Sequence, residues 1–304
     1  MTPLVEASVV LVVGAGAGLV AASLYWIVGH ASLRGTPAST VTQRAFSYAA
    51  LALILLAAAW TGIAGIAVLV GALAAAGLGE WTRLFDLPVH HRIGLLGADV
   101  AIVATVATGG VAAAPVLVGG LVLVGALWPV IRADTGRAVR DLGFAAVGCV
   151  LIPVLLVHGV ALRFERGEAG AALFIALAVA CAGSDVGAFL VGRRFGRSLL
   201  APNLSPKKTR EGVVGNVVGA AVGLVLFVPA LVPAFGPGFV IALVPLVAVG
   251  SVWGDLLESA VKREAGVKDA GTWLPGFGGI LDRIDSLLIT VALVYWAAWL
   301  AVPA

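Results

Sequence analysis

Acids, bases and hydroxyls recur at helical spacing between Trp253 and Asp285, inside a chain that is 61% hydrophobic. Asp255, Glu258 or Ser259, and Lys262 fall at i, i+3/i+4 and i+7, so one helix face carries them, with Arg263 beside it. Asp282 and Asp285 stand one turn apart, just ahead of the last apolar run. Between these groups lie Lys268-Asp269 and the run Pro275-Gly276-Phe277-Gly278-Gly279, where glycine lets backbone amides approach a ligand closely. Carboxylate oxygens in this pattern suit a hard cation such as Mg²⁺, which is held by one or two carboxylates together with substrate phosphates. Ion pairs with the neighbouring Lys and Arg are the plainer alternative. So many acids beside a Gly-rich turn exceed what a structural cluster needs.

A second polar island spans 184–212. Asp185 closes an apolar run, and Gly192-Arg193-Arg194-Phe195-Gly196-Arg197 follows. Next comes Ser205-Pro206-Lys207-Lys208-Thr209-Arg210-Glu211-Gly212. Two adjacent lysines flanked by the Ser205 and Thr209 hydroxyls offer point charges and donors suited to a polyphosphate. A helix beginning near Gly212 would add its N-terminal dipole. The alternative is a basic loop resting on anionic headgroups.

The elements that must position these residues are membrane spans. Only 12% of the chain is charged, about half the roughly 25% of a soluble domain, so it could not cover its own surface in water. Mean hydropathy is +1.09. Apolar runs long enough to span lie near 4–28, 45–61, 63–79, 94–111, 113–131, 141–160, 170–191, 213–232, 239–256 and 285–303. The expected fold is therefore an all-α, polytopic integral membrane protein with about 9–10 transmembrane helices. Residues 1–170 are read as a scaffold of N-terminal spans. Residues 171–304 are read as the catalytic region, with polar loops at 192–212 and 257–284.

Residues 4–28 lack a basic leader and are read as a retained first span. Gly14 and Gly18 there suit close helix packing better than a dinucleotide fingerprint. Cys149 and Cys181 both sit in apolar runs, as buried small hydrophobes do. With ten spans and an external N-terminus, every basic residue except Arg163 and Arg166 falls in an internal loop. That bias places both polar islands on the cytoplasmic side of a plasma (inner) membrane. Nothing in the sequence points to a nucleic acid, and a homodimer is compatible with it.

At these residues a family resemblance emerges. Ser259-x-x-Lys262-Arg263, Lys268-Asp269 and Pro275-Gly276-x-Gly278-Gly279-x-x-Asp282-Arg283-x-Asp285 closely resemble the signature of the phosphatidate cytidylyltransferase family. SPKKTREG at 205–212 is similar to that family's second motif, and Asp185 with GRRFGR at 192–197 to a third element. The resemblance covers roughly 181–290. It implies an all-helical membrane enzyme that condenses CTP with phosphatidic acid to give CDP-diacylglycerol and pyrophosphate. It also implies a requirement for Mg²⁺, with a place for a monovalent cation such as K⁺ beside it, and makes Asp255 and Asp282 the metal-binding acids. With that reaction in view, Asp285 supports the metal, Lys207 and Lys208 neutralise the triphosphate, and Ser259, Lys262 and Arg263 engage phosphate. Gly278 and Gly279 allow close backbone approach.

One position departs from the family pattern: Phe277 stands where the family has histidine. Other readings therefore stay open. They are a CTP-dependent enzyme acting on another lipid phosphate or a polyprenol, a secondary transporter, and a catalytically silent membrane paralogue.

Overall fold

The computed structural model describes residues 53–55, 57–132, 136–267, 271 and 279–301. The expected spans at 4–28 and, for the most part, 45–61 lie outside the described residues, as do Gly14 and Gly18. The described chain is built almost wholly of helices: α1 (Gly62–Leu84), α2 (Val89–Gly109), α3 (Ala114–Arg132), α4 (Ala138–Cys149) and α5 (His158–Phe195). A short hairpin of β1 (Leu199–Ala201) and β2 (Ser205–Thr209) follows. After it come α6 (Arg210–Val225), α7 (Val228–Phe235), α8 (Pro237–Glu264) and α9 (Leu281–Ala301).

Among the described residues, five helical stretches are long and apolar enough to cross a membrane, or six if α6 and α7, bent by 84°, form one broken span. One of these stretches, Ala138–Phe195, runs for 58 residues. A straight helix of that length would reach about 87 Å, nearly three times the hydrocarbon thickness of a bilayer. Gly167 breaks it, with φ 57° and ψ −134°, a backbone region that glycine enters at little cost. The two expected spans at 141–160 and 170–191 are thereby separated. Within the first of them, Val150–Val154 widens into a π-helical turn at Pro153, whose ring and missing N–H disturb the regular ladder.

Two seams of small residues fix how the site-bearing helices meet. Along α5 and α6, a Cβ on Gly183 would sit 2.7 Å from the Gly219 carbonyl oxygen, and one on Gly223 would sit 2.7 Å from the Ala180 Cα. Between α8 and α9, a Cβ on Gly250 would sit 2.8 Å from the Thr290 Cα, and one on Gly254 would sit 2.8 Å from the Asp285 carbonyl carbon. In a bilayer, where apolar burial hardly distinguishes protein from lipid, such backbone approach is what lets dispersion forces hold helices together. Buried polar bonds pin the same helices. Asn216 Nδ2 donates to Ser251 Oγ at 2.9 Å, and Ser286 Oγ donates to the Ser251 carbonyl at 3.4 Å. The buried apolar core draws on both expected regions, with Ile66, Ile102 and Ile152 joining Phe174, Leu243 and Tyr295.

The charged residues divide between two ends. Arg137 pairs with Asp86 at 3.3 Å at the end that carries both polar islands. At the opposite end Arg163 pairs with Glu168, and Tyr295 Oη donates to Glu165 at 2.6 Å. Among the described residues, the hairpin is the one departure from an all-helical expectation. It is antiparallel, with Ala201 opposite Ser205 and Leu199 opposite Thr209.

Candidate active site

The hairpin decides where the paired lysines go. Successive residues of a strand point to opposite faces. Lys208 is half-buried and forms an ion pair with Asp255 on α8, whereas Lys207 is exposed. The two polar islands therefore meet at this ion pair, among other contacts. Half-buried Ser205 opens β2, and Thr209 ends it by capping α6, its Oγ1 accepting from the Gly212 N–H at 3.1 Å. Glu211 accepts from the N–H groups of Arg197 (3.1 Å) and Ser198 (3.2 Å), which folds the GRRFGR segment back over the helix start.

On α8 the helical spacing does what the sequence required. Asp255, Glu258 and Asp285 bring one carboxylate oxygen each to within 4.8 Å of one another. Asp285 reaches this cluster because Gly254 lets α9 touch α8, and its Oδ1 takes the Ser286 N–H at 2.6 Å. Asp185 lies within hydrogen-bonding reach of Ser286 and has Asp255, Lys208 and Arg283 as charged neighbours. Lys262 stands between Glu258, with which it forms an ion pair, and Asp282, whose Oδ1 accepts from Nζ at 2.7 Å. Asp282 Oδ2 takes the Gly279 N–H at 2.8 Å. Ser259 is buried beside Glu258, while Arg263 is exposed and donates to the Val267 carbonyl at 3.1 Å. Lys268, Asp269, Phe277 and Gly278 lie outside the described residues.

The clustered acids exceed what Lys208 and Lys262 can balance at this depth, and uncompensated carboxylates in a poorly solvated setting are costly. Glu258 is buried, and its polar neighbours are Lys262, with which it forms an ion pair, and the Asp282 carboxyl group. Hard oxygen donors, converging and under-satisfied, fit a divalent cation such as Mg²⁺.

Glu258, Lys262 and Asp285 of the same cluster also line a groove. Its remaining walls are apolar: Trp81 and Leu84 from α1, Leu151 from the π-helical turn and Leu155 just after it, Leu288 and Ile289 from α9. Trp81 is held in place by its indole N–H, which donates to the Phe144 carbonyl at 2.8 Å.

Two acids found here are not among the site residues that the sequence singles out. Glu258 was placed on the right face but not counted among the site residues. Glu80 was not singled out at all, although an acid closing the apolar run GALAAAGLG is itself a signal. It is 1% exposed, and its oxygens accept from the N–H groups of Ile280 (2.8 Å) and Leu281 (2.9 Å).

Known proteins resemble the chain over most of its length. The chain is 40% identical over 255 residues to the phosphatidate cytidylyltransferase of Pseudomonas aeruginosa, covering 78% of this chain and 90% of that protein. It is 44% identical over 113 residues to the enzyme of the same name from Haemophilus influenzae, covering 36% of this chain and 39% of that protein. The corresponding Mycobacterium bovis protein is 30% identical over 202 residues, covering 60% of this chain and 61% of that protein. The pattern of the Cytidylyltransferase family matches residues 42–301, a range that takes in every described residue of the site. The chain belongs to the cytidylyltransferase family.

Proposed function

We propose that the protein transfers the cytidylyl group of CTP to phosphatidic acid, giving CDP-diacylglycerol and pyrophosphate. The observation that carries this reading is the junction of the lysine-and-carboxylate cluster with an apolar groove, in a chain of this family. A lipid phosphate needs both. Its headgroup requires cations, and its acyl chains require an apolar wall such as the one Leu84, Leu155 and Ile289 provide.

The chemistry asks little of a protein base. The second pKa of a phosphate monoester is about 6, so phosphatidic acid already carries its nucleophilic oxygen as an anion near neutral pH. That oxygen bonds to the α-phosphorus of CTP, the bond from this phosphorus to the bridging oxygen breaks, and pyrophosphate leaves with the electron pair. The barrier is the approach of one anion to another, so catalysis is positioning and charge compensation. Lys208 and Lys262 supply fixed positive charge, and the exposed Lys207 and Arg263 supply it at the rim. Ser259, Ser205 and Thr209 offer hydroxyls beside them. Gly278 and Gly279 are assigned to close backbone approach, and Asp185 to the acids around the nucleotide phosphates.

Mg²⁺ would be held by Asp255 with Glu258 and Asp285, whose oxygens converge; Asp282, which the family resemblance also assigns to the metal, is engaged by Lys262 and the Gly279 N–H in this structure. Bound there, it would supply charge neutralisation of the triphosphate. A monovalent cation such as K⁺ is the second expected ion, read by comparing turnover in K⁺ and Na⁺ buffers. The site is assigned to the cytoplasmic side of the plasma (inner) membrane, since the basic residues gather at its end of the bundle.

The test is release of pyrophosphate from labelled CTP by purified protein, run against a panel of lipid acceptors with and without chelator. Turnover with phosphatidic acid that stops with EDTA and returns with Mg²⁺ is the expected result. Turnover confined to another lipid phosphate or a polyprenol would support the second reading, which Phe277 in place of the family histidine favours. Release of CDP instead of pyrophosphate would overturn cytidylyl transfer.

A further inference from the structure

The last helix begins without a cap of its own. The residue preceding α9 is Ile280, whose side chain cannot accept a hydrogen bond, yet the first N–H groups of a helix have no partner inside it. Thr209 solves this problem locally for α6. At α9 the acceptor comes from α1 instead: Glu80 Oε1 takes the Ile280 N–H and Oε2 takes the Leu281 N–H. A carboxylate at a helix N-terminus is also favoured by the helix dipole.

The backbone on the other side of positions 272–278 closes on the same carboxylate. A Cβ on Gly271 would lie 2.6 Å from Glu80 Oε1, and one on Gly279 would lie 2.8 Å from Glu80 Cδ. Any larger residue at either position would have to displace the Glu80 carboxylate. With 279–281 held in this way, the Gly279 N–H is aimed at Asp282 Oδ2, leaving Oδ1 for Lys262. The order of dependence runs from Glu80 to the 279–281 backbone, then to Asp282, then to Lys262 and Glu258.

We propose that Glu80 is a positioning residue for the reaction: it clamps Gly271 and residues 279–281 to α1 and so sets the place of Asp282 opposite Lys262. Both of its oxygens are engaged by backbone N–H groups, so it acts through Asp282 and not on substrate. The proposal rests on the reading that Asp282 serves the reaction.

Glu80→Ala, Glu80→Gln and Glu80→Asp in the full chain, purified in detergent, test it with two independent readouts. The first is amide hydrogen exchange. Peptides covering 279–286 should exchange faster in Glu80→Ala and Glu80→Gln, while those covering the α5–α6 seam stay unchanged. Glu80→Gln is informative because its NH₂ would face a backbone N–H donor. The second is steady-state turnover. Loss of a group that orients a site residue should cost about 10- to 100-fold in turnover or in the Mg²⁺ concentration needed for half-maximal rate. KM for the lipid should stay as in the wild type, and Glu80→Asp should recover part of the loss.

A folded Glu80→Ala protein with wild-type exchange at 279–286 overturns the clamp. Faster exchange with unchanged turnover and Mg²⁺ dependence overturns the link to the reaction and leaves Glu80 a fold stabiliser. If Glu80→Ala does not fold, Glu80→Gln and Glu80→Asp, which keep the volume or the charge, carry the same readouts. The two readings fail separately. Wild-type turnover by Asp282→Asn would sink the role of Asp282 while the exchange data still reported on the clamp.

Discussion

Lys262 is the side chain on which the acid cluster turns. It touches Glu258 and Asp282 at once and is itself largely shielded, with 14% of its side chain exposed. Removing it would leave two sheltered carboxylates facing each other, the situation in which deleting one member of a buried ion pair costs about 3–5 kcal/mol. Lys262→Met is therefore expected to lower both thermal stability in detergent and turnover, the latter by about 100- to 1,000-fold as for loss of one preorganised cationic donor. Lys262→Arg should fold normally and recover only part of the rate, since a planar guanidinium cannot serve as a point charge in the same space. Wild-type kcat in Lys262→Met would remove this lysine from the mechanism. Lys207 and Lys208 show that identical neighbours can differ: the strand sends Lys208 to Asp255 and leaves Lys207 exposed, so Lys208→Met should cost more activity than Lys207→Met.

Between elements, the approach of α8 to α9 is what turns two separated motifs into one cluster. A side chain at Gly254 would meet the Asp285 backbone, and overpacking of this sort costs about 1–3 kcal/mol where the structure cannot yield. Gly254→Val is expected to separate Asp255 from Asp285 and to raise the Mg²⁺ requirement as well as lower stability. Gly97→Ala on α2, where an added Cβ meets nothing within 4 Å, is the matched control and should leave both unchanged. Thermal melts in detergent and Mg²⁺ titrations of turnover read the two variants side by side. A Gly254→Val protein with an unshifted Mg²⁺ titration would show that the seam does not position the acids.

For the whole molecule, the charge distribution makes a claim about orientation. The lysine strand and the acid cluster share one end, and Glu168 with its Arg163 partner marks the other. Native Cys149 and Cys181 are buried, so cysteines introduced at Lys207 and at Glu168 can be labelled selectively. A membrane-impermeant maleimide should modify the first only from the cytoplasmic side and the second only from the opposite side. The reverse pattern would overturn the orientation.

Composition and periodicity determined a good deal alone. A chain with so few charges had to cross a membrane, its apolar runs had to be helices because lipid offers the backbone no partners, and the i, i+3, i+7 spacing had to place Asp255, Glu258 and Lys262 on one face. These are local consequences of chain geometry and solvent. Tertiary structure decided the rest. The bond from Glu80 to Ile280 and Leu281 joins residues some two hundred positions apart, Lys208 reached Asp255 only because a hairpin formed between two helices, and Asp285 joined the cluster only because Gly254 admitted it. No periodicity within one segment encodes such meetings, since each depends on which surfaces of two helices can approach, and that is set by packing across the whole bundle.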